Sequence, residues 1–304
     1  ELAHLDDGSC EIASGWYLIN SDVTVSSDNA LFINNNLVVN NTGNLTIKSD
    51  ANSSGSLLVS GTVTGNIIYE RYIPDTAWHL VSAPVTSQEI NSFATADNAI
   101  KTKIDKYAIA NFTNSNSTGS KWEYFTTSSL PSAGNFKSGQ GYSLKRTSAG
   151  NYTFEGQMAT ADVNYTLSSS SNDDYWTCIG NPYPSFLLAS DGDNPSLLKN
   201  NENVMHQNYK ALYVWHESQF IVINQTSEKT YLAPGQGIMV NSINGSQTFT
   251  FSKDLQSHQS ENNTFYRSLN HPTINLFLSN ENSKVSTTVK YSDECTTNLD
   301  PGYD

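Results

Sequence analysis

Two strings in this chain occur twice at nearly one spacing, and that duplication restricts the fold more than any other feature. Trp78-His-Leu-Val-Ser-Ala-Pro84 returns as Trp176-Thr-Cys-Ile-Gly-Asn-Pro-Tyr-Pro184, and the turn Gly139-Gln-Gly-Tyr142 returns as Gly235-Gln-Gly-Ile238. The tryptophans lie 98 positions apart (176 − 78) and the first glycines 96 (235 − 139). Marks that recur in one order at one period indicate a duplicated structural unit. Where the second copy has Gly-Asn the first has Ser-Ala, so the copies share packing and turn geometry rather than reactive groups. Trp78, Pro84, Gly139, Gly141, Trp176, Pro182, Gly235 and Gly237 are therefore read as anchors of the repeat. Function is expected in the loops where the copies differ.

The remaining pattern is all-β. Residues 15–73 carry a ladder of short apolar pieces, among them Val23-Thr-Val25, Leu45-Thr-Ile47 and Leu57-Leu-Val59, divided by Asn, Gly, Ser and Asp. Period-two alternation with polar corners suits a few coils of a β-solenoid, an ordinary small sheet being the alternative. Two duplicated β-sandwich-like units are expected at 74–168 and 169–256, with strands such as Ile104–Ile109, Trp122–Phe125, Ala211–Trp215 and Phe220–Asn224. Thr86-Ser-Gln-Glu89 has the form of a capping box and predicts a short helix burying Ile90, Phe93 and Ala94. Residues 1–14 form an acidic linker, and 257–304 the start of a further β element.

Composition narrows the partners. The chain has 304 residues, 37% hydrophobic and only 15% charged, with 16 basic against 29 acidic residues and a net charge of −13. Nucleic acid and anionic membranes are met by Lys/Arg clusters, which the sequence does not display, and no apolar run is long enough to insert into a bilayer. The acidic balance serves solubility or divalent cations; Asp6 and Asp7 in the leader, and Asp191 and Asp193 in an insert unique to the second unit, are the candidate calcium ligands. No other cofactor is expected. Cys178 lies in an apolar strand and reads as a small buried hydrophobe, while Cys10 and Cys295 are candidates to pair with each other, or Cys10 with a cysteine upstream of this sequence. The chain begins at Glu1 and ends amid strand-like segments, as an excised piece would.

No catalytic constellation stands out. There is no Gly-x-Ser-x-Gly elbow, the six histidines form no His-x-x-x-His pair, and Gly-Gln-Gly lacks the Lys-Ser/Thr of a phosphate loop. Trp122, Tyr183, Tyr213 and Trp215 are aromatics able to stack on sugar rings, although Tyr213 and Trp215, two apart on one strand, equally suit a core face.

The matched set Trp78, Leu80, Ser82, Pro84, Gly139, Gly141, Tyr142, Trp176, Gly180, Asn181, Pro182, Tyr183, Pro184, Gly235, Gln236 and Gly237 resembles a module of large secreted Bacteroidetes proteins. Cys178 and Ile238 depart from its pattern, where Leu and an aromatic are usual. Asp6-Asp7-Gly8-Ser9-Cys10 resembles the end of a short linking repeat of the same proteins. The resemblance implies export by the type IX secretion system, an extracellular or outer-surface location, and a place beside adhesin, polysaccharide-degrading or protease domains. It also implies a C-terminal sorting domain that this sequence lacks. The expected function is a non-catalytic structural or adhesion module whose partners are other domains of its polypeptide. A carbohydrate-binding accessory module and a self-assembling fibre subunit, with glycans or identical subunits as partners, are the alternatives.

Overall fold

A computed structural model describes residues 10–13, 16–114, 120–168, 175–216, 219–244, 246–259, 273–279 and 284–290. The fold is all-β, as the sequence pattern predicts. Strand β1 (Cys10–Ala13) pairs antiparallel with β2 (Trp16–Ile19), which begins a three-faced β-solenoid. The first coil is β2, β3 (Val23–Val25) and β4 (Ala30–Ile33); the second is β5 (Asn36–Val39), β6 (Leu45–Lys48) and β7 (Ser56–Val59); β8 (Val63–Thr64) and β9 (Ile67–Ile73) open a third. Each strand pairs in parallel with its counterpart one coil on, as in Val23↔Leu45 and Leu31↔Leu57. Val23, Val25, Leu45, Ile47 and Leu57 are buried while the alternate side chains turn outward, which is what period-two patterning produces. Polar residues stack at the corners: Asn36 Oδ1 accepts from Thr62 N at 2.8 Å, and Asp22 Oδ1 accepts from Asn44 N at 2.9 Å.

The first repeat unit contains β10 (Trp78–Val81), helix α1 (Ile90–Thr95), β11 (Thr102–Lys103), β12 (Lys106–Phe112), β13 (Trp122–Thr126), β14 (Tyr142–Lys145) and β15 (Gly150–Gly156). Its main sheet runs β10-β14-β12-β11, with β13 also on β12, and β15 pairs with β9 along its whole length. The second unit contains β16 (Val163–Thr166), β17 (Trp176–Gly180), β18 (Phe186–Ser190), α2 (Leu197–Asn201), β19 (Leu212–His216), β20 (Gln219–Ile223), β21 (Thr230–Leu232), β22 (Gly237–Asn241), β23 (Thr248–Phe251) and β24 (Gln256–Ser257). Its main sheet is β17-β22-β19-β20, β16 pairs with β23, and β21-β18-β24 forms a small third sheet. The duplication is thus a duplication of topology: tryptophan strand, then Gly-Gln-Gly strand, then the first strand of a hairpin, in both sheets. A separate hairpin joins β25 (Thr273–Ser279) to β26 (Lys284–Lys290).

Ladder partners also locate the units. β9 holds in unit one the place that β16 holds in unit two: β9 pairs with β15, and β16 with β23. The solenoid face β3-β6-β9 continues into β15 of unit one, and a single apolar core extends from Ile19 through Leu45, Tyr69 and Phe93 to Met158. Unit two has its own core, from Leu167 to Leu255.

Three local expectations change. Helix α1 buries Ile90, Phe93 and Ala94 as predicted, but Glu89 is its N-cap with no side-chain cap bond, because Thr86 is drawn into a bridge with Gln157. Ile104 is not in a strand: it stands with Asp105 in the two-residue loop between Lys103 and Lys106, with φ 58° and 96% exposure. β8, β18, β21 and β24 are short strands that weak local patterning left unpredicted. Among the described residues no helix is long and apolar enough to cross a membrane.

Candidate functional site

The repeated motifs build the joint between the units. Val81 bridges Gln236 while Gln140 bridges Ile179, so each tryptophan strand meets the other unit's Gly-Gln-Gly turn. The hydrogen bonds are reciprocal: Ser82 N donates to Gly235 O at 2.9 Å, and its counterpart Gly180 N donates to Gly139 O at 3.0 Å. Glycine is required where the backbones touch. A Cβ on Gly141 would lie 2.5 Å from Cys178 Sγ, and one on Gly237 would lie 2.6 Å from the Leu80 carbonyl carbon. Gly139 and Gly235 also adopt positive φ, 79° and 67°.

The second copy is braced further, within unit two and against the solenoid. Asn181 Nδ2 donates to Ser185 O (2.8 Å) and Ala233 O (3.0 Å), and its Oδ1 accepts from Tyr183 N (3.1 Å). Pro184 O accepts from Leu57 N at 2.8 Å, tying the motif to β7 of the solenoid. Pro84 and Pro182 are buried beside these contacts. The duplicated strings are consumed in packing, and none presents a reactive group to solvent.

Between the units lies a third apolar cluster of Leu80, Cys178 and Met239, with Phe112, Trp122, Trp176, Tyr213 and Trp215 packed against it and partly buried. Burial pushes the Cys178 thiol far above the ordinary range, so it is a poor nucleophile and a good packing group. Tyr213 and Trp215 alternate with Leu212 and Val214, which fill the core of unit two. They do share a face, but it is the face turned away from that core. Trp215 meets Phe220 edge-on at 4.9 Å, and Phe220 remains 43% exposed. The result is an aromatic seam whose rim reaches solvent.

The expected site residues therefore separate. Trp122, Tyr213 and Trp215 come together in the seam. Tyr183 does not: it is fully buried, and its hydroxyl donates to Phe251 O (2.6 Å) and contacts Ala161 O (3.1 Å), so no sugar ring can stack on it. Asp191 and Asp193, expected as calcium ligands, each face a lysine instead, Lys229 Nζ at 3.0 Å and Lys199 Nζ at 3.5 Å. Among the described residues no group of three or more His, Cys, Asp and Glu side chains is placed to hold a metal. Asp6, Asp7 and Cys295 lie outside the described residues.

One feature of the surface escaped the sequence reading, which saw no basic cluster. Lys101, Lys103, Lys106 and Lys145 line one groove of about 320 Å³ whose floor includes Trp78 and Tyr124. The string Lys101-Thr-Lys-Ile-Asp-Lys106 carried part of the signal; Lys145 joins only through the pairing of β14 with β10.

With this geometry in place, comparison with known proteins adds one result. Residues 18–304 match a domain of unknown function (DUF8693). The chain belongs to that family. No curated protein and no solved structure matches. The DUF8693 match takes in the solenoid, both repeat units and the β25–β26 hairpin together, in keeping with the core that the solenoid shares with unit one.

Proposed function

We propose that the chain is a non-catalytic structural and adhesion module of a larger secreted or cell-surface protein. The observation that carries this is the reciprocal joint: the residues most alike in the two copies lock two β units into one stiff body, as a load-transmitting spacer or display platform requires. The polar, weakly charged composition, with short Asn, Ser and Thr side chains at the turns, suits an extracellular β-protein. Purified protein is expected to release no product from a broad panel of glycans and peptides; reproducible turnover abolished by a point substitution would overturn the proposal.

A carbohydrate-binding role is the second reading, favoured by the half-exposed rim of the seam. Trp215, Tyr213 and Phe220 offer ring faces and edges of the kind that pack on sugars. A glycan array with wild-type protein and Trp215→Ala tests it. A hit that the substitution leaves unchanged places recognition elsewhere.

A further inference from the structure

We propose that the groove beside Trp78 binds an acidic polysaccharide through its carboxylate or sulfate groups. Four of the chain's 16 basic residues converge there although the net charge is −13. Among the described residues none of the four forms an ion pair with a carboxylate. The nearby carboxylate of Asp75 is engaged by His79 Nε2 (2.8 Å) and Ala77 N (2.7 Å). The floor is aromatic: Trp78 and Tyr124 meet edge-on at 5.6 Å, and Lys145 Nζ stands 5.7 Å from the Trp78 ring centroid. Ring faces for the apolar side of a sugar, flanked by ammonium groups for its acidic substituent, are what an anionic saccharide needs.

The duplication supplies the control. Lys145 is the ladder partner of Trp78, and Asn241 is the ladder partner of Trp176, so the ammonium at this register belongs to unit one alone. In unit two Trp176 packs against the rings of Tyr213 and Tyr209, at 4.9 and 5.6 Å. There the chain runs through the short 3-10 turn Gln207–Tyr209, whereas unit one has the β11–β12 hairpin carrying Lys103 and Lys106. Both tryptophans are partly exposed, but unit two surrounds its own with tyrosine rings where unit one places lysines. This inference rests on the reading of the chain as a binding module, yet it uses no residue of the aromatic seam.

The test is calorimetry and affinity electrophoresis with polygalacturonate, dextran sulfate, neutral galactan and duplex DNA. Wild-type protein is compared with the double variant Lys103→Ala/Lys106→Ala and with Trp215→Ala. Both lysines are exposed, and unchanged circular dichroism and melting confirm the fold of the double variant. At least one acidic glycan is expected to bind the wild type, more weakly as salt rises, and about tenfold more weakly to the double variant. Which acidic glycan binds separates carboxylate from sulfate recognition. Binding of neither, equal binding by the double variant, or DNA binding as tight as the glycans' would each overturn the proposal. Loss of glycan binding in Trp215→Ala but not in the double variant would overturn this groove while leaving the seam reading intact.

Discussion

A Cβ on Gly141 would stand 2.5 Å from the sulfur of Cys178, so the turn of one unit and the tryptophan strand of the other meet with no room between them. The counterpart contact sets Gly237 against Leu80. The two differ in what does the crowding: a side-chain sulfur and the Ile179 carbonyl at the first, and chiefly the backbone of Leu80 and Val81 at the second.

Gly141→Ala and Gly237→Ala are each expected to lower stability by about 2–3 kcal/mol, since neither site can expand without parting the strands. Cys178→Ala is expected to relieve Gly141→Ala in part, with a coupling of about 1 kcal/mol in a double-mutant cycle read by denaturant unfolding. Leu80→Ala leaves the backbone atoms that meet Gly237 in place. It is expected to show no comparable coupling with Gly237→Ala.

The hairpin tip yields a prediction of opposite sign. Ile104 holds φ 58° at 96% exposure, a left-handed conformation unfavourable to a β-branched residue and without burial to offset it. Ile104→Asn is expected to stabilise the protein by about 1 kcal/mol, measured as a rise in Tm; no change or a fall would contradict the assigned turn.

At high pH the buried tyrosines govern stability. Burial raises Tyr165 and Tyr213 to about 12, and pushes Tyr69, Tyr142, Tyr152 and Tyr183 higher still. In the unfolded chain these groups lose their protons near pH 10, about two units before the folded chain does. Stability is therefore full below that point and falls as pH rises past it. Spectrophotometric titration is expected to show these phenols ionising together with unfolding.

At low pH the sign reverses. Burial lowers the pKa of His79 and of His258, outweighing the opposing pull of Asp75 on the first and of the Asp28 carbonyl on the second. The unfolded chain takes up these protons first, so stability is lost as pH falls below about 6.5. His79→Gln is expected to flatten that slope in denaturant midpoints measured across this range.

How much of this the sequence disclosed depends on the range of the interaction. The solenoid coils, the tryptophan strands and the short helix were legible because Val23/Val25, Leu45/Ile47 and Ile90/Phe93 write their own periodicity. Ile104 misled because its strong β-propensity says nothing of a two-residue loop between lysines. Tyr183 looked like a surface aromatic beside two prolines, yet hydrogen bonds to Phe251 and Ala161, remote in sequence, bury it. The lysine groove was hidden for the same reason: Lys145 reaches Lys101 only through the fold.

The central claim is that the duplicated motifs exist to lock the two units together, and hydrogen exchange at the amides of Ser82, Gly141 and Gly180 tests it most directly. Each donates across the joint, to Gly235, Cys178 and Gly139 respectively, at 2.9–3.0 Å. If the units form one body, all three exchange only through global unfolding, with a common free energy equal to that of denaturant unfolding. Faster exchange at these amides than in the cores around Ile109 and Val214 would mean that the units part independently, and would contradict the claim.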